Sequence, residues 1–117
     1  MAGVMTPYKA IADETRRDIL DMLRQENLTA GAIAGAIAQR SRRVSRPAVS
    51  KHLSILRRSR LVVAHKRGRE QIYALNAEPL REVQRWLSQY QANWETQLQF
   101  LKNYVESQPT TEEEHEC

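Results

Sequence analysis

Apolar residues recur with a helical period along most of this chain and give way only once to a β-prone stretch. Ile19, Leu20, Met22 and Leu23 follow the helical spacing and stop at the polar Gln25-Glu26-Asn27, which predicts a helix over Glu14–Gln25. Asp13 stands where an N-cap belongs, and Thr6-Pro7 opens a shorter helical turn, Tyr8–Ala12, ahead of it. Ile33 and Ile37, one turn apart, mark a third helix over Ala30–Ala38, with Thr29 as its cap. Gln39–Val44 reads as an Arg-rich turn. Ser45 then caps a fourth helix with Pro47 in its first turn and Val49, Leu53 and Leu56 as its apolar stripe.

The period changes after Arg60. Leu61–Lys66 and Glu70–Asn76 are β-prone, and Arg67-Gly68-Arg69 between them supplies a glycine for positive φ in a tight hairpin turn. From Pro79 to about Glu106 the helical period returns. Leu80, Val83, Leu87, Tyr90, Trp94, Leu98, Leu101 and Val105 recur at spacings of 3, 4, 3, 4, 4, 3 and 4. Pro109 ends this helix, and the acidic Thr110–Cys117 is expected to be disordered. The order predicts a mainly α fold with a small β-hairpin: a winged helix-turn-helix with an additional long C-terminal helix. One domain is expected over 1–107, followed by a tail over 108–117.

Charge sharpens this picture. Asn27–Arg69 holds eleven of the eighteen Lys and Arg residues and no Asp or Glu, whereas Met1–Glu26 sums to −1 and Glu70–Cys117 to −6. The net +4 therefore conceals a middle block at +11. Such a block suits a polyanion, because each cation set against a phosphate releases a condensed counterion. The fourth helix lies inside it. With its apolar stripe turned to the core, Arg46, Ser50, Lys51 and Ser54 are left to read double-stranded DNA in the major groove. Arg46 suits a bidentate contact with guanine, and Ser50 is short enough to let the helix approach closely. Arg40, Arg42, Arg43, Arg57, Arg58 and Arg60 bracket the helix as expected phosphate contacts. Lys66, Arg67 and Arg69 at the hairpin tip are expected to reach the neighbouring minor groove or its backbone. His52, beside the stripe, has two readings: a half-buried packing or hydrogen-bonding residue, or a phosphate contact.

Composition excludes several alternatives. The lone cysteine, Cys117, permits no intrachain disulfide. No apolar run is long enough to cross a bilayer and no charged-then-apolar leader opens the chain, so a cytoplasmic protein without a membrane partner is expected. An enzyme is not expected, since no Ser/His/Asp or Cys/His grouping and no phosphate-cradling glycine loop is present. No catalytic residue, metal ligand or cofactor is assigned. An RNA-binding reading would call for aromatics on the basic face, and that block has none before Tyr73.

The strings Tyr8-Lys-Ala-Ile-Ala-Asp-Glu-Thr-Arg-Arg-Asp-Ile-Leu20, Leu28-Thr-Ala-Gly31, Ser45-Arg-Pro-Ala-Val-Ser-Lys-His-Leu53 and Gly68-Arg-Glu-Gln-Ile-Tyr-Ala-Leu75 resemble the ArsR/SmtB family of bacterial winged-helix repressors. The likeness runs from about Thr6 to Tyr104. It implies a homodimeric repressor of its own or a neighbouring operon that binds an inverted repeat. By that likeness Arg46, Ser50 and Lys51 fall on reading positions and Lys66–Arg69 on the wing. Two departures stand out: Asp13-Glu-Thr-Arg16 replaces the usual Asp-Pro-Thr-Arg, and the link over Gln39–Val44 is several residues longer than usual. Metal-sensing members carry Cys-x-Cys on the third helix or Asp and His pairs on the last. Here Thr29 and Gly31 occupy the cysteine positions and Pro79–Glu106 has no His. The resemblance is therefore to the branch that does not sense metals, with a metal-responsive repressor using a non-standard site as the rival. Control is expected either from protein concentration alone or from an unidentified small apolar effector entering near the aromatic helix.

The last helix carries more apolar surface than so small a core needs. Val83, Trp86, Leu87, Tyr90, Trp94, Leu98 and Leu101 are the expected seam of a homodimer.

Overall fold

The computed structural model describes residues 5–40 and 43–107. Arg42 and the tail beginning at residue 108, both assigned roles above, lie outside the described residues. Along the chain run α1 (Pro7–Ala10), α2 (Glu14–Gln25), β1 (Leu28–Thr29), α3 (Ala30–Arg40), α4 (Arg46–Arg58), β2 (Val62–Arg67), β3 (Glu70–Leu75) and α5 (Leu80–Glu106). Two compact units result, one ending at Val83 and the other beginning at Gln84.

The first unit is built on helices whose starts are capped by their own sequence. Thr6, Asp13, Thr29 and Ser45 accept the backbone N–H three residues on, at 3.2, 3.0, 3.1 and 3.3 Å. Each satisfies a donor that the first helical turn leaves without an intrahelical partner. The stripes then close on one another. Ile19, Leu20, Met22 and Leu23 of α2, Ile33, Ala34 and Ile37 of α3, and Val49, Leu53 and Leu56 of α4 share one buried cluster with Leu61, Val62 and Tyr73.

The sheet is larger than the expected hairpin. Its order is β1-β3-β2, all antiparallel, with Leu28 opposite Tyr73 and Thr29 opposite Ile72 on the added edge. Two residues are too few to show an alternating pattern, so β1 is invisible without its partner. The wing itself pairs Val62 with Leu75 through Arg67 with Glu70. Its loop is therefore two residues, Gly68–Arg69, rather than three, with Gly68 at φ 66 in the first loop position, as a type II′ turn requires.

The junction of α4 with the wing rests on a residue in an unusual conformation. Arg60 has φ 67, the only described non-glycine residue with positive φ. Around it the N–H of Leu61 donates to Leu56 O and that of Arg60 to Arg57 O, both at 3.0 Å. This is the Schellman ending of a helix, normally made with glycine at that position. Leu61 and Leu56, both fully buried, supply its apolar contact. Asn76, directly after β3, locks the corner: its Nδ2 donates to Arg60 O at 2.7 Å and its backbone N–H to Leu61 O at 2.8 Å.

Leu80 and Val83, at the start of α5, belong to the first unit, and Leu80 packs against the core cluster. Val83, expected in the dimer seam, is only 7% exposed and is buried by its own chain, so it offers little to a second copy. The second unit is the rest of α5. Its apolar residues are open: Trp86, Leu87, Tyr90, Trp94, Leu98, Phe100, Leu101, Tyr104 and Val105 are all exposed. Trp86 and Tyr90 meet edge to face, with ring centres 5.4 Å apart.

Candidate nucleic-acid interface

Burial of Val49, Leu53 and Leu56 fixes which side of α4 faces outward. Arg46, Ser50, Lys51, Ser54, Arg57 and Arg58 are all exposed, as the sequence pattern requires. They do not form a single row. At about 100° per residue, Arg46, Ser50, Ser54 and Arg57 share one face, while Lys51 and Arg58 lie roughly a quarter-turn round the helix. Arg46 stands on the first turn of α4, directly after the Ser45 cap. Its Nη2 lies over the first turn of α3, 4.0 Å from where a side chain on Gly31 would begin. A hollow of about 110 Å³ there is bordered by Ala30, Gly31, Ala34, Arg46, Val49 and Ser50. Farther along the helix, Ser50, Leu53, Ser54, Arg57 and Arg58 join Ala30 and Tyr73 around an open cleft of about 380 Å³. The exposed face of α4 is thus a concave strip of hydroxyl and guanidinium donors. It offers hydrogen bonds to base edges and positive charge to phosphates.

The wing brings a second set of cations. Lys66 and Arg67 end β2 and Arg69 completes the loop, all exposed. Arg43 and Arg60 are exposed as well. Arg40 is differently placed. Its Nη1 lies 3.6 Å from Asp18 Oδ1 of α2, so its charge is partly answered within the chain and its first role is to tie α3 to α2. That pair is about half exposed, where an ion pair is worth little to stability.

Sequence reasoning missed a side chain that adds a polar tie between α4, α2 and α1. Arg16 of α2 donates through Nε to Ala10 O at 2.7 Å and through Nη2 to Lys9 O at 3.1 Å, closing the open carbonyl end of α1. Its Nη1 meets His52 Nδ1 of α4 at 3.2 Å. Guanidinium only donates, so in this pairing His52 Nδ1 is the acceptor and the ring proton sits on Nε2. Asp13 Oδ2 lies 3.9 Å from the same Nδ1. His52 is thereby a half-buried hydrogen-bonding residue on the inner flank of α4, the first of its two readings. Tyr8 adds a tie from α1, donating to Glu82 O at 3.2 Å. The sequence signal was the string Asp13-Glu-Thr-Arg16, whose cap and arginine both turn out to face His52.

No group of three His, Cys, Asp or Glu side chains comes together among the described residues, and no described helix is long and apolar enough to cross a membrane.

Comparison with known proteins matches this arrangement. Residues 11–64 match a family described as a helix-turn-helix domain. The transcriptional repressor SdpR of Bacillus subtilis is 38% identical over 80 residues, covering 68% of this chain and 83% of that protein. An ArsR-like transcriptional regulator from a Rhodococcus species superposes with a TM-score of 0.60 at 35% identity, covering 86% of this chain and 87% of that one. A homodimeric winged helix-turn-helix DNA-binding domain from Mycobacterium bovis gives a TM-score of 0.54 at 29% identity, covering 80% and 79% of the two chains.

Proposed function

The chain belongs to the ArsR family of DNA-binding winged-helix transcriptional regulators, and from that premise we propose that it is a homodimeric repressor of its own or a neighbouring operon. In this reading each α4 enters the major groove of one half of an inverted repeat, and each β2–β3 wing rests on the flanking backbone or minor groove. The observation that carries it is the exposed strip Arg46, Ser50, Ser54 and Arg57, set over a fully buried stripe and inside a block with no acidic residue. Arg46 and Ser50 read bases, with Lys51 and Ser54 beside them. Arg43, Arg57, Arg58, Lys66, Arg67 and Arg69, with Arg42, hold phosphates and fix the register. Arg40 contributes only what its pairing with Asp18 leaves.

Repression follows from occupancy: a dimer seated on a promoter excludes polymerase. A relative named as a repressor and a structural neighbour described as homodimeric both support this reading. The exposed apolar stripe of α5 supplies surface for the second subunit. Two-fold symmetry then matches protein to palindrome, with half-sites one helical turn apart or a multiple of it. The site of action is cytoplasmic, and release is set by protein concentration or by a small apolar effector near α5.

Selection of DNA from a random pool by the purified protein tests this. An inverted repeat with half-sites spaced by about ten base pairs is the expected product. Recovery of DNA without sequence enrichment, despite binding, would overturn the specific-repressor reading.

A further inference from the structure

We propose that His52 is a positioning residue: held by Arg16 as a neutral ring, it sets the angle at which α4 presents Arg46 and Ser50, and protonation moves it from Arg16 towards Asp13 and turns α4. The proposal rests on the DNA-binding reading above and adds a proton-linked control to it.

Val49, Leu53 and Leu56 join the apolar residues of α2 and α3 in one cluster. Such contacts are individually weak and non-directional, whereas a hydrogen bond weakens steeply as its angle departs from linear. Packing therefore sets which side of α4 faces inward, and a polar contact on the flank sets the angle more finely. That contact is His52 Nδ1 to Arg16 Nη1, at 3.2 Å.

Arg16 is not free to follow α4. Its Nε donates to Ala10 O at 2.7 Å and its Nη2 to Lys9 O at 3.1 Å, so the planar guanidinium is fixed from α1. Its backbone N–H donates to Asp13 Oδ2 at 3.0 Å, tying it to the cap of α2. The donor is stationary and the acceptor rides on α4.

Guanidinium has no lone pair to offer, so the bond exists only while Nδ1 is bare. A proton there sets an N–H and a second positive charge against Arg16. Asp13 Oδ2, 3.9 Å from the same nitrogen, is the carboxylate that receives it. A charge-assisted N–H···O bond is about 2.8 Å long, so the ring travels about 1 Å to make it. His52 lies roughly 160° round the helix from Ser50 and Ser54. At a side-chain radius of about 5–6 Å, a movement of about 1 Å on this flank is a turn of about 10°, which carries the outward side chains about 1 Å the other way. Recognition geometry tolerates about 0.5 Å. Proton uptake on the inner flank thus reaches the outer face with no contact between His52 and DNA. The side chain is 18% exposed, which gives protons access. Among the described residues no ionisable side chain of α3 or the sheet bonds to the ring, so Arg16 and Asp13 are the charges that face it.

Operator titrations with the full chain at fixed salt, between about pH 8 and about pH 5.5 where imidazole titrates, test this. The native protein is expected to lose about tenfold in operator affinity on acidification, the scale of one charge-assisted hydrogen bond, while binding to random DNA does not fall. His52→Gln keeps an acceptor for Arg16 but takes no proton, so it should match the native protein at the alkaline limit and stay flat. His65 on the wing is present in both proteins and cancels. His52→Leu keeps apolar packing and lacks the acceptor; at the alkaline limit it should bind the operator about tenfold more weakly with helical content unchanged. Should His52→Leu lose helical content, the His52→Gln profile and nitrogen NMR of the native ring decide, the latter expected to show Nδ1 bare at the alkaline limit. A His52→Gln profile that falls like the native one, native-like binding by a folded His52→Leu, or a proton on Nδ1 at the alkaline limit would each overturn the proposal and leave the DNA-binding reading intact. A native protein that binds no selected operator would remove that reading and this proposal together.

Discussion

Trp94→Ala separates assembly from folding, because the residue lies on the open part of α5 and outside the cluster that holds the first unit together. Trp94 is 49% exposed in the single chain. A large aromatic offers up to about 250 Å² of surface, so roughly 120 Å² remains for a second subunit to cover. At about 25 cal/mol per Å², burying that surface is worth about 3 kcal/mol in each copy. A symmetric dimer forfeits this burial twice, and allowing for the area that Ala retains the loss is about 5 kcal/mol. That corresponds to roughly three to four decades in the dimer Kd, enough to turn a nanomolar dimer into one that dissociates at micromolar concentration. The core around Ile33, Val49, Leu53 and Leu56 is untouched, so helical content and thermal unfolding of that unit should change little. Operator affinity should fall by several decades as paired reading is lost, while binding to a half-site or to random DNA falls far less. Sedimentation or light scattering beside operator titration checks both. A Trp94→Ala protein that stayed dimeric and bound its operator normally would refute the reasoning and move the subunit contact elsewhere.

Three further outcomes follow. Arg46→Ala or Ser50→Ala should cost about 1–3 kcal/mol on the selected operator and little on random DNA, measured by paired titrations; equal losses on both would mean these residues only position the helix. Arg60→Gly should raise stability by about 0.5–1 kcal/mol in denaturant unfolding, since glycine relieves the positive φ at the end of α4 but adds backbone freedom to the unfolded chain; unchanged or lower stability would argue against strain there. Micromolar Zn²⁺ or Cu⁺ in chelator-buffered titrations should not release DNA, given Thr29 and Gly31 at the cysteine positions and no His on α5; stoichiometric release would revive the metal-responsive reading.

Local signals carried much of this fold. The limits of α2 and the caps Asp13, Thr29 and Ser45 could be read directly, because a cap and an apolar period are both contained within a few residues. The exposed residues of α4 followed from the Val49-Leu53-Leu56 stripe for the same reason. What escaped depends on partners far along the chain. β1 exists only because β3 comes back to Leu28 and Thr29. Arg60 takes a conformation usually left to glycine, with Asn76 bracing the corner from sixteen residues away. The pairing of Arg40 with Asp18 joins residues 22 positions apart on two helices, which no local pattern announces. Arg16, to which the sequence assigned no role, ties α1 to α4 through His52. In α5 the period showed an apolar stripe but not where the chain's own core ends, which the contrast between buried Val83 and open Trp86 supplies.

Salt dependence of DNA binding bears most directly on the central claim, because it counts phosphates rather than inferring them. If the dimer neutralises about eight phosphates, affinity for the operator should fall by about four decades between 50 and 200 mM salt. Lys66→Ala should flatten that slope by about one unit for each phosphate no longer neutralised, while weakening all sequences alike. A steep slope that Lys66→Ala reduces is the predicted result. An affinity that hardly responds to salt would contradict the assignment of the basic block of α4 and the wing to DNA.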